Sequence, residues 1–258
     1  MSAEVWRDIE YRHGDTVMIG QLRAPAGEPE RAGAAAVLLV HDAFGISDEM
    51  VANASALVAR GHRVFLADVW GDRRIPSTEA EIGPLIGAML ADRATWLARV
   101  EAAHRAAAEQ PEFDARPVAV LGYCFGGSSA LEYLRTGAEV AGVVSIHGGL
   151  DLLAPDWSAA VPASVLVCTG ADDPMATAEM RTALTGSLDA AGMEWQLHLY
   201  SGTKHAFTSP MAEHSPMPDV VAHNPRSAAR AWATTVRFLG ELAETETETA
   251  DRTRDSRA

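Results

Sequence analysis

The fold of this chain is constrained most strongly by a cysteine flanked by glycines. It lies where a strand pattern changes to a helix pattern. The segment Gly122-Tyr123-Cys124-Phe125-Gly126 follows the apolar run PVAVL and precedes residues with helical spacing. G-x-C-x-G in this setting has the form of a nucleophile elbow, with Cys where Ser is more usual. A Cβ at either outer glycine would collide across so tight a turn, and Cys124 is expected to be strained. The pattern favours a reactive thiol at a helix N-terminus over a buried structural cysteine.

The apolar runs of the sequence alternate with segments of helical spacing. Strands are predicted over 35–40, 63–70, 117–121, 140–146, 163–169 and 194–200. Helices are predicted over 48–60, 78–109 with a break near Gly83-Pro84, from the elbow to 135, and over 176–191 and 225–243. This order predicts an α/β-hydrolase fold: a mostly parallel central sheet with helices on both faces. Residues 4–23 are predicted as an N-terminal antiparallel strand pair that turns at His13-Gly14-Asp15.

The domain organisation follows from length and from the composition of the C-terminal segment. The chain has 258 residues, enough for one large domain, which we assign to residues 1–243. Residues 244–258, ETETETADRTRDSRA, are charged and lack large apolar side chains. Such a segment cannot bury enough surface to offset its ordering entropy, so a disordered tail is expected.

Charge and cysteine content exclude several classes of function. A formal net charge of -14 disfavours nucleic-acid binding, because phosphate backbones would be repelled. No apolar run approaches the roughly 20 residues that span a bilayer, and the polar start does not resemble a signal peptide. The two cysteines form no disulfide framework, and Cys168, inside the run SVLVC, is interpreted as a core residue. A cytoplasmic protein, either a monomer or a homodimer, is expected.

A base and an acid that serve the cysteine are expected at the ends of later strands, since the order along the chain in such folds is nucleophile, acid, histidine. His205 lies just after the strand that ends at Tyr200, where a general base could reach the thiol. Asp172 and Asp173 both follow the strand at 163–169, and the residues alone leave the choice open. His147, at the end of another strand, is interpreted as a pocket residue. The other rival histidines fall at turns (His13 and His62), in a Pro-rich loop (His214 and His223) or within a strand (His198).

The oxyanion of a tetrahedral intermediate needs main-chain donors beside the nucleophile. One is normally the amide after the nucleophile, here Phe125, and the other comes from the loop after an early strand, here Ala43. Tyr123, which directly precedes the nucleophile, is assigned to the substrate pocket together with His147.

With these motifs in place, the chain resembles the dienelactone hydrolase family over roughly residues 10–240. The resemblance rests on VLLVHDAFGIS, ADVWGD, LGYCFGG, TGADD and GTKHAF. It implies that Asp172, the first carboxylate after the glycine and a variable residue, orients His205. It also implies that Asp42 occupies the position of a family Glu that interacts with the resting cysteine, although Asp is one methylene shorter.

The resemblance implies a substrate site as well. Family members that cleave dienelactones hold the substrate carboxylate with arginines, one of them shortly after the catalytic His. No Arg follows His205 closely, so Arg73 and Arg74 are the candidates, and a solvated surface pair is the alternative interpretation. Asp42 likewise has the alternative of a polar loop residue.

The expected function is hydrolysis of a small activated ester or lactone by Cys124, His205 and Asp172 through an acyl-thioester. A general carboxylesterase or thioesterase for another small acyl substrate is the second hypothesis. A non-catalytic binding protein of the same fold is the third. No cofactor is expected, because the sequence holds neither a dinucleotide fingerprint nor a metal-binding motif.

Overall fold

An eight-stranded sheet organises the computed structural model, which describes residues 4–27, 34–114 and 116–255. The strands are β1 (Glu4–His13), β2 (Thr16–Pro25), β3 (Ala36–Val40), β4 (Arg63–Ala67), β5 (Val118–Tyr123), β6 (Gly142–Ile146), β7 (Ser164–Gly170) and β8 (Glu194–Tyr200). Their order across the sheet is β1-β2-β4-β3-β5-β6-β7-β8. β1 and β2 pair antiparallel, β2 pairs antiparallel with β4, and every later pair is parallel. The predicted fold class is confirmed.

Six helices connect or follow the strands in the described part of the chain. They are α1 (Asp48–Val58), α2 (Glu79–Ala91), α3 (Arg93–Ala108), α4 (Phe125–Arg135), α5 (Ala178–Ala190) and α6 (Pro225–Asp255). None of these helices combines the length and the apolar character needed to cross a bilayer.

Two helix boundaries differ from the sequence-based prediction. The break in the long helical segment lies at Asp92, not at Gly83-Pro84, because the Asp92 carboxylate accepts the Thr95 N–H and starts a new helix. Pro84 sits inside α2. Helix α6 extends to Asp255, past the end predicted at residue 243. The assignment of one domain followed by a tail stays a prediction. Residues 256–258 lie outside the described part.

Both faces of the sheet are covered, which explains why its central strands are apolar throughout. Val37 and Leu39 of β3 face a core that α1 and α6 complete, whereas Leu38 and Val40 face one completed by α3, α4 and α5. All five residues of β3 are buried. Because these strands are buried on both faces, their ends are fixed, and the loops at their carboxyl ends extend from a rigid scaffold.

Candidate active site

The turn between β5 and α4 holds Cys124 in a conformation that few residues adopt. Its φ of 51° and ψ of -117° lie outside the helical and extended regions. A Cβ on Gly122 would lie 2.0 Å from the Gly126 carbonyl oxygen, and a Cβ on Gly126 would lie 2.2 Å from that of Val40. Both glycines are therefore required sterically, and the turn raises the cysteine above the carboxyl edge of the sheet.

His205 lies between the cysteine and a carboxylate. Its Nε2 is 3.2 Å from Cys124 Sγ, and its Nδ1 is 2.9 Å from Asp173 Oδ2. Both His205 and Asp173 are 2% exposed. A sulfur, an imidazole and a carboxylate from three distant loops thus form one hydrogen-bonded row.

The carboxylate in this row is Asp173, so the prediction of Asp172 is wrong for the group that contacts His205. The Asp172 N–H donates to the Thr203 carbonyl at 3.0 Å, and its side chain is exposed. Asp173, one residue on, turns inward and also accepts the Met175 N–H at 2.8 Å. The loop after β7 lies so close to the His205 loop that a Cβ on Gly170 would be 2.1 Å from the Thr203 oxygen. This tertiary contact decides which of the two neighbours faces the site.

The electrostatics of the row favour a protonated His205 when the cysteine is charged. Burial lowers the pKa of His205, but negative charge on Cys124 and the hydrogen bond to Asp173 outweigh burial and raise that pKa to about 10. The proton therefore resides on the imidazole while sulfur carries charge. Cys168, by contrast, is buried in β7, and burial raises the pKa of its thiol to about 12.

His147 lies against the row as a neutral ring, in the pocket position predicted for it. Its Nδ1 accepts the Cys124 N–H at 3.1 Å, which leaves the proton on Nε2 to donate to Thr208 Oγ1 at 2.8 Å. Burial and the neighbouring His205 lower the pKa of His147 well below its usual value. The two imidazole rings are 5.4 Å apart. Thr208, which no sequence pattern singled out, is thereby part of the site.

Phe125 and Ala43, the two predicted oxyanion donors, both line the cavity beside the sulfur. Phe125 is the first residue of α4, where N–H groups have no acceptor within the helix. Ala43, in the loop after β3, lines the same cavity, and its carbonyl is held by Trp70 Nε1–H at 3.2 Å. The Phe125 ring stacks on Trp70 with centroids 4.5 Å apart, which fixes the two loops against each other.

A cavity of about 410 Å³ opens beside the cysteine and is mostly apolar. Cys124, His205, His147 and Tyr123 all line it. The apolar side chains of the wall come mainly from α2 and from the segment after His205, and they include Phe44, Ile82, Ile86, Leu90, Met211 and Met217. The i, i+4, i+8 spacing of the α2 residues predicts a shared face, but nothing in the sequence shows that this face borders a cavity.

Asp42 lies in the cavity wall, and its predicted effect on the resting cysteine stays a prediction. Its Oδ1 accepts the Phe44 N–H at 2.8 Å. Burial raises the pKa of this carboxyl to about 7, the Phe44 hydrogen bond opposes the rise, and the charge of Glu49 adds to it. Asp42 therefore changes charge close to neutral pH.

Replacement of Asp42 by Asn should make the protein relatively more stable as the pH rises. A carboxyl with a raised folded-state pKa contributes stability at low pH and loses it as the pH rises towards that pKa. Between pH 5 and pH 8 the loss amounts to about 1–2 kcal/mol for a side chain that still reaches solvent. Asn keeps the acceptor for Phe44 and has no charge to bury. Urea denaturation of both proteins at the two pH values measures the difference, and an equal difference at both would contradict this account of Asp42.

Arg73 and Arg74 do not line the cavity, so the structure does not bring these two predicted substrate-binding residues together with Cys124. Arg73 donates to the Ile19 carbonyl at 3.1 Å and to Asp8 at 2.6 Å, on the opposite side of the loop. Arg74 is exposed and is absent from the cavity wall. The partner of Arg73 lies on β1, which explains why local sequence could not reveal it.

Among the described residues, no group of three or more His, Cys, Asp or Glu side chains could hold a metal ion.

Comparisons with known proteins agree with this fold. A model of the dienelactone hydrolase family matches residues 22–243. The crystal structure of a dienelactone hydrolase-like promiscuous phosphotriesterase, P91, from metagenomic libraries is 32% identical, with a TM-score of 0.86, and covers 93% of this chain and 99% of its own. A dienelactone hydrolase from Anabaena variabilis is 19% identical, with a TM-score of 0.62, over 93% of this chain and 96% of its own, which shows the fold alone. No curated protein is significantly similar in sequence.

Proposed function

Because this chain belongs to the dienelactone hydrolase family, a family of hydrolases, we propose that it cleaves small activated esters or lactones at Cys124. The observation that carries the proposal is the row of Cys124 Sγ, His205 and Asp173, with separations of 3.2 and 2.9 Å. A nucleophile, a base within hydrogen-bond reach and a group that orients the base are the elements of covalent catalysis.

Acylation begins with charged sulfur beside protonated His205. The sulfur attacks the carbonyl carbon, and the developing oxyanion is bound by the N–H groups of Phe125 and Ala43. The bond between the carbonyl carbon and the leaving oxygen then breaks, while the new bond between carbon and sulfur remains. The departing alkoxide or enolate takes the proton from His205 Nε2, and a thioester on Cys124 remains.

Deacylation uses the same imidazole in its other charge state. Thioester sulfur carries no negative charge, so the interaction that raised the pKa of His205 is lost and burial favours the neutral ring. Neutral Nε2 takes a proton from water, the resulting hydroxide adds to the carbonyl carbon, and the bond from carbon to sulfur breaks. Sulfur leaves with its electron pair, which restores the charged pair, while Asp173 holds Nδ1–H throughout.

Substrate reactivity tests the proposal. Thiolate is a good leaving group, so its adduct with an unactivated alkyl ester tends to revert, whereas aryl esters and enol lactones go forward. We expect kcat/KM for 4-nitrophenyl butyrate or an enol lactone to exceed that for ethyl butyrate at least about 100-fold. Initial rates at pH 7.5 measure this ratio. Absence of hydrolysis of every activated ester would contradict the proposal and favour a non-catalytic binding protein of this fold.

A second candidate activity is hydrolysis of neutral phosphotriesters. The 32% identical relative is described as a promiscuous phosphotriesterase, and the cavity here has the apolar wall that an uncharged triester requires. A dialkyl 4-nitrophenyl phosphate in the same assay distinguishes it, and acyl thioesters test the general thioesterase alternative.

Cys124 and Cys168 are unpaired in the described structure, as suits a reducing compartment. The cytoplasmic location, and the monomer or homodimer, stay predictions.

A further inference from the structure

The charged side chains of the catalytic cavity are all of one sign, apart from the triad. Asp42, Glu49 and Asp151 lie in its wall, whereas no Arg or Lys does among the residues that the structure describes. Glu49 is close enough to Asp42 for its charge to add to the rise that burial causes in the pKa of Asp42. We infer that this site takes uncharged esters with an apolar body and excludes substrates that carry a carboxylate, unlike a site built for a dienelactone acid.

Two cations that adjoin residues of the cavity wall, Lys204 and Arg93, are held by other groups. Lys204 directly precedes His205, but its Nζ donates to the Pro218 carbonyl at 2.7 Å. Arg93 donates to the carbonyl of Leu152, a wall residue, and forms an ion pair with the buried Glu132 at 2.9 Å. Neither Lys204 nor Arg93 is among the residues that line the cavity.

The positive charge of the triad is also compensated. Protonated His205 lies between Cys124 sulfur and the buried carboxylate of Asp173. Burial raises the pKa of the Asp151 carboxyl, and smaller effects of His205, which lowers that pKa, and of Asp173, which raises it, show that Asp151 lies within electrostatic reach of both residues. A substrate carboxylate entering the cavity would lose water and meet a mostly apolar wall with three carboxylates and, among the described residues, no Arg or Lys, which is unfavourable for binding.

The apolar wall completes the argument for an uncharged substrate. Ile82, Ile86 and Leu90 project from one face of α2, and Met211 and Met217 come from the segment after His205. A wall of this composition gains free energy by burying hydrocarbon or an aromatic ring. The methionines can adapt to substrates of different shape, because their side chains are unbranched and flexible.

A matched pair of substrates tests this inference, which rests on the proposed function. 4-Nitrophenyl hexanoate and mono-(4-nitrophenyl) adipate share a leaving group and a chain length, and they differ by a terminal methyl or carboxylate. At pH 8 we expect kcat/KM for the hexanoate to be about 100-fold higher or more, after subtraction of the non-enzymatic rate. A ratio near one would overturn the inference. Failure to cleave either ester would instead count against the proposed function.

Charge-neutral variants separate electrostatic exclusion from simple size selection. Glu49→Gln and Asp151→Asn together should lower the hexanoate-to-adipate ratio at least about tenfold, because two like charges are removed with little change of shape. Asp48→Asn is the matched control: it neutralises an exposed carboxylate beside Glu49 that does not line the cavity, and the ratio should stay at its original value. An unchanged ratio in the double variant, or an equal fall in the control, would overturn the inference.

Discussion

Asp173→Asn is expected to lower kcat on an activated ester by about 10³–10⁴-fold, whereas Asp172→Asn should stay within about twofold of the original protein. The Asp173 carboxylate accepts Nδ1–H of His205 and so leaves Nε2 free to take a proton. An Asn at 173 can donate to Nδ1 and reverse the tautomer, which disables the base without a large change of shape. Steady-state rates on 4-nitrophenyl butyrate measure the effect.

The two neighbouring positions make a sharp internal control. Asp172 is exposed and contacts the rest of the site through its main chain, so the side-chain change there should be almost silent. Circular dichroism and thermal unfolding show whether each variant is folded. A large loss of activity in Asp172→Asn with near-normal Asp173→Asn would show that this geometry does not describe the working enzyme.

Cys124→Ala should remove ester hydrolysis to at least about 10⁴-fold below the original rate, since no other group in the cavity can form the thioester. The variant should fold, because Ala has the Cβ that the strained turn already accommodates. Cys168→Ala is the control for loss of a thiol. Cys168 is buried in β7 with its sulfur 3.6 Å from the Tyr200 hydroxyl, so its removal should affect stability and leave turnover near normal.

Full activity in Cys124→Ala would place catalysis elsewhere. Alkylation with iodoacetamide gives the same comparison without mutagenesis: Cys124 is partly exposed in the cavity, whereas Cys168 is buried. Loss of activity should therefore parallel modification of Cys124. Loss that followed modification of Cys168 would contradict the assignment.

The elbow could be predicted from sequence because its constraints are local. Gly122 and Gly126 are needed by contacts within a few residues and with the adjacent strand, and the neighbouring segments carry their own strand and helix patterns. His205 was predictable for a related reason, since the carboxyl ends of parallel strands meet at one edge of the sheet. The fold and the proximity of Cys124 to His205 thus follow from patterns that a linear sequence preserves.

The site features that the sequence did not place correctly depend on contacts between distant segments. Whether Asp172 or Asp173 faces inward is decided by the close approach of Gly170 to Thr203, and two adjacent carboxylates carry no local signal of that kind. Arg73 forms an ion pair with Asp8 on β1 and does not line the cavity. The segment after His205 contributes Met211 and Met217 to the wall without any periodic pattern. Side-chain direction at loops is set by tertiary packing, which explains why the pocket was less predictable than the sheet.

The measurement that tests the central claim most directly is the site of acylation in the intact protein. Acid quenching during turnover of 4-nitrophenyl butyrate, followed by peptide mass spectrometry, should find one butyryl group on the peptide that contains Cys124. The adduct should be labile to hydroxylamine, as a thioester is, and absent from Cys124→Ala. A butyryl group on another side chain, or unimpaired turnover with no adduct under conditions where deacylation is rate-limiting, would contradict thioester catalysis at this cysteine.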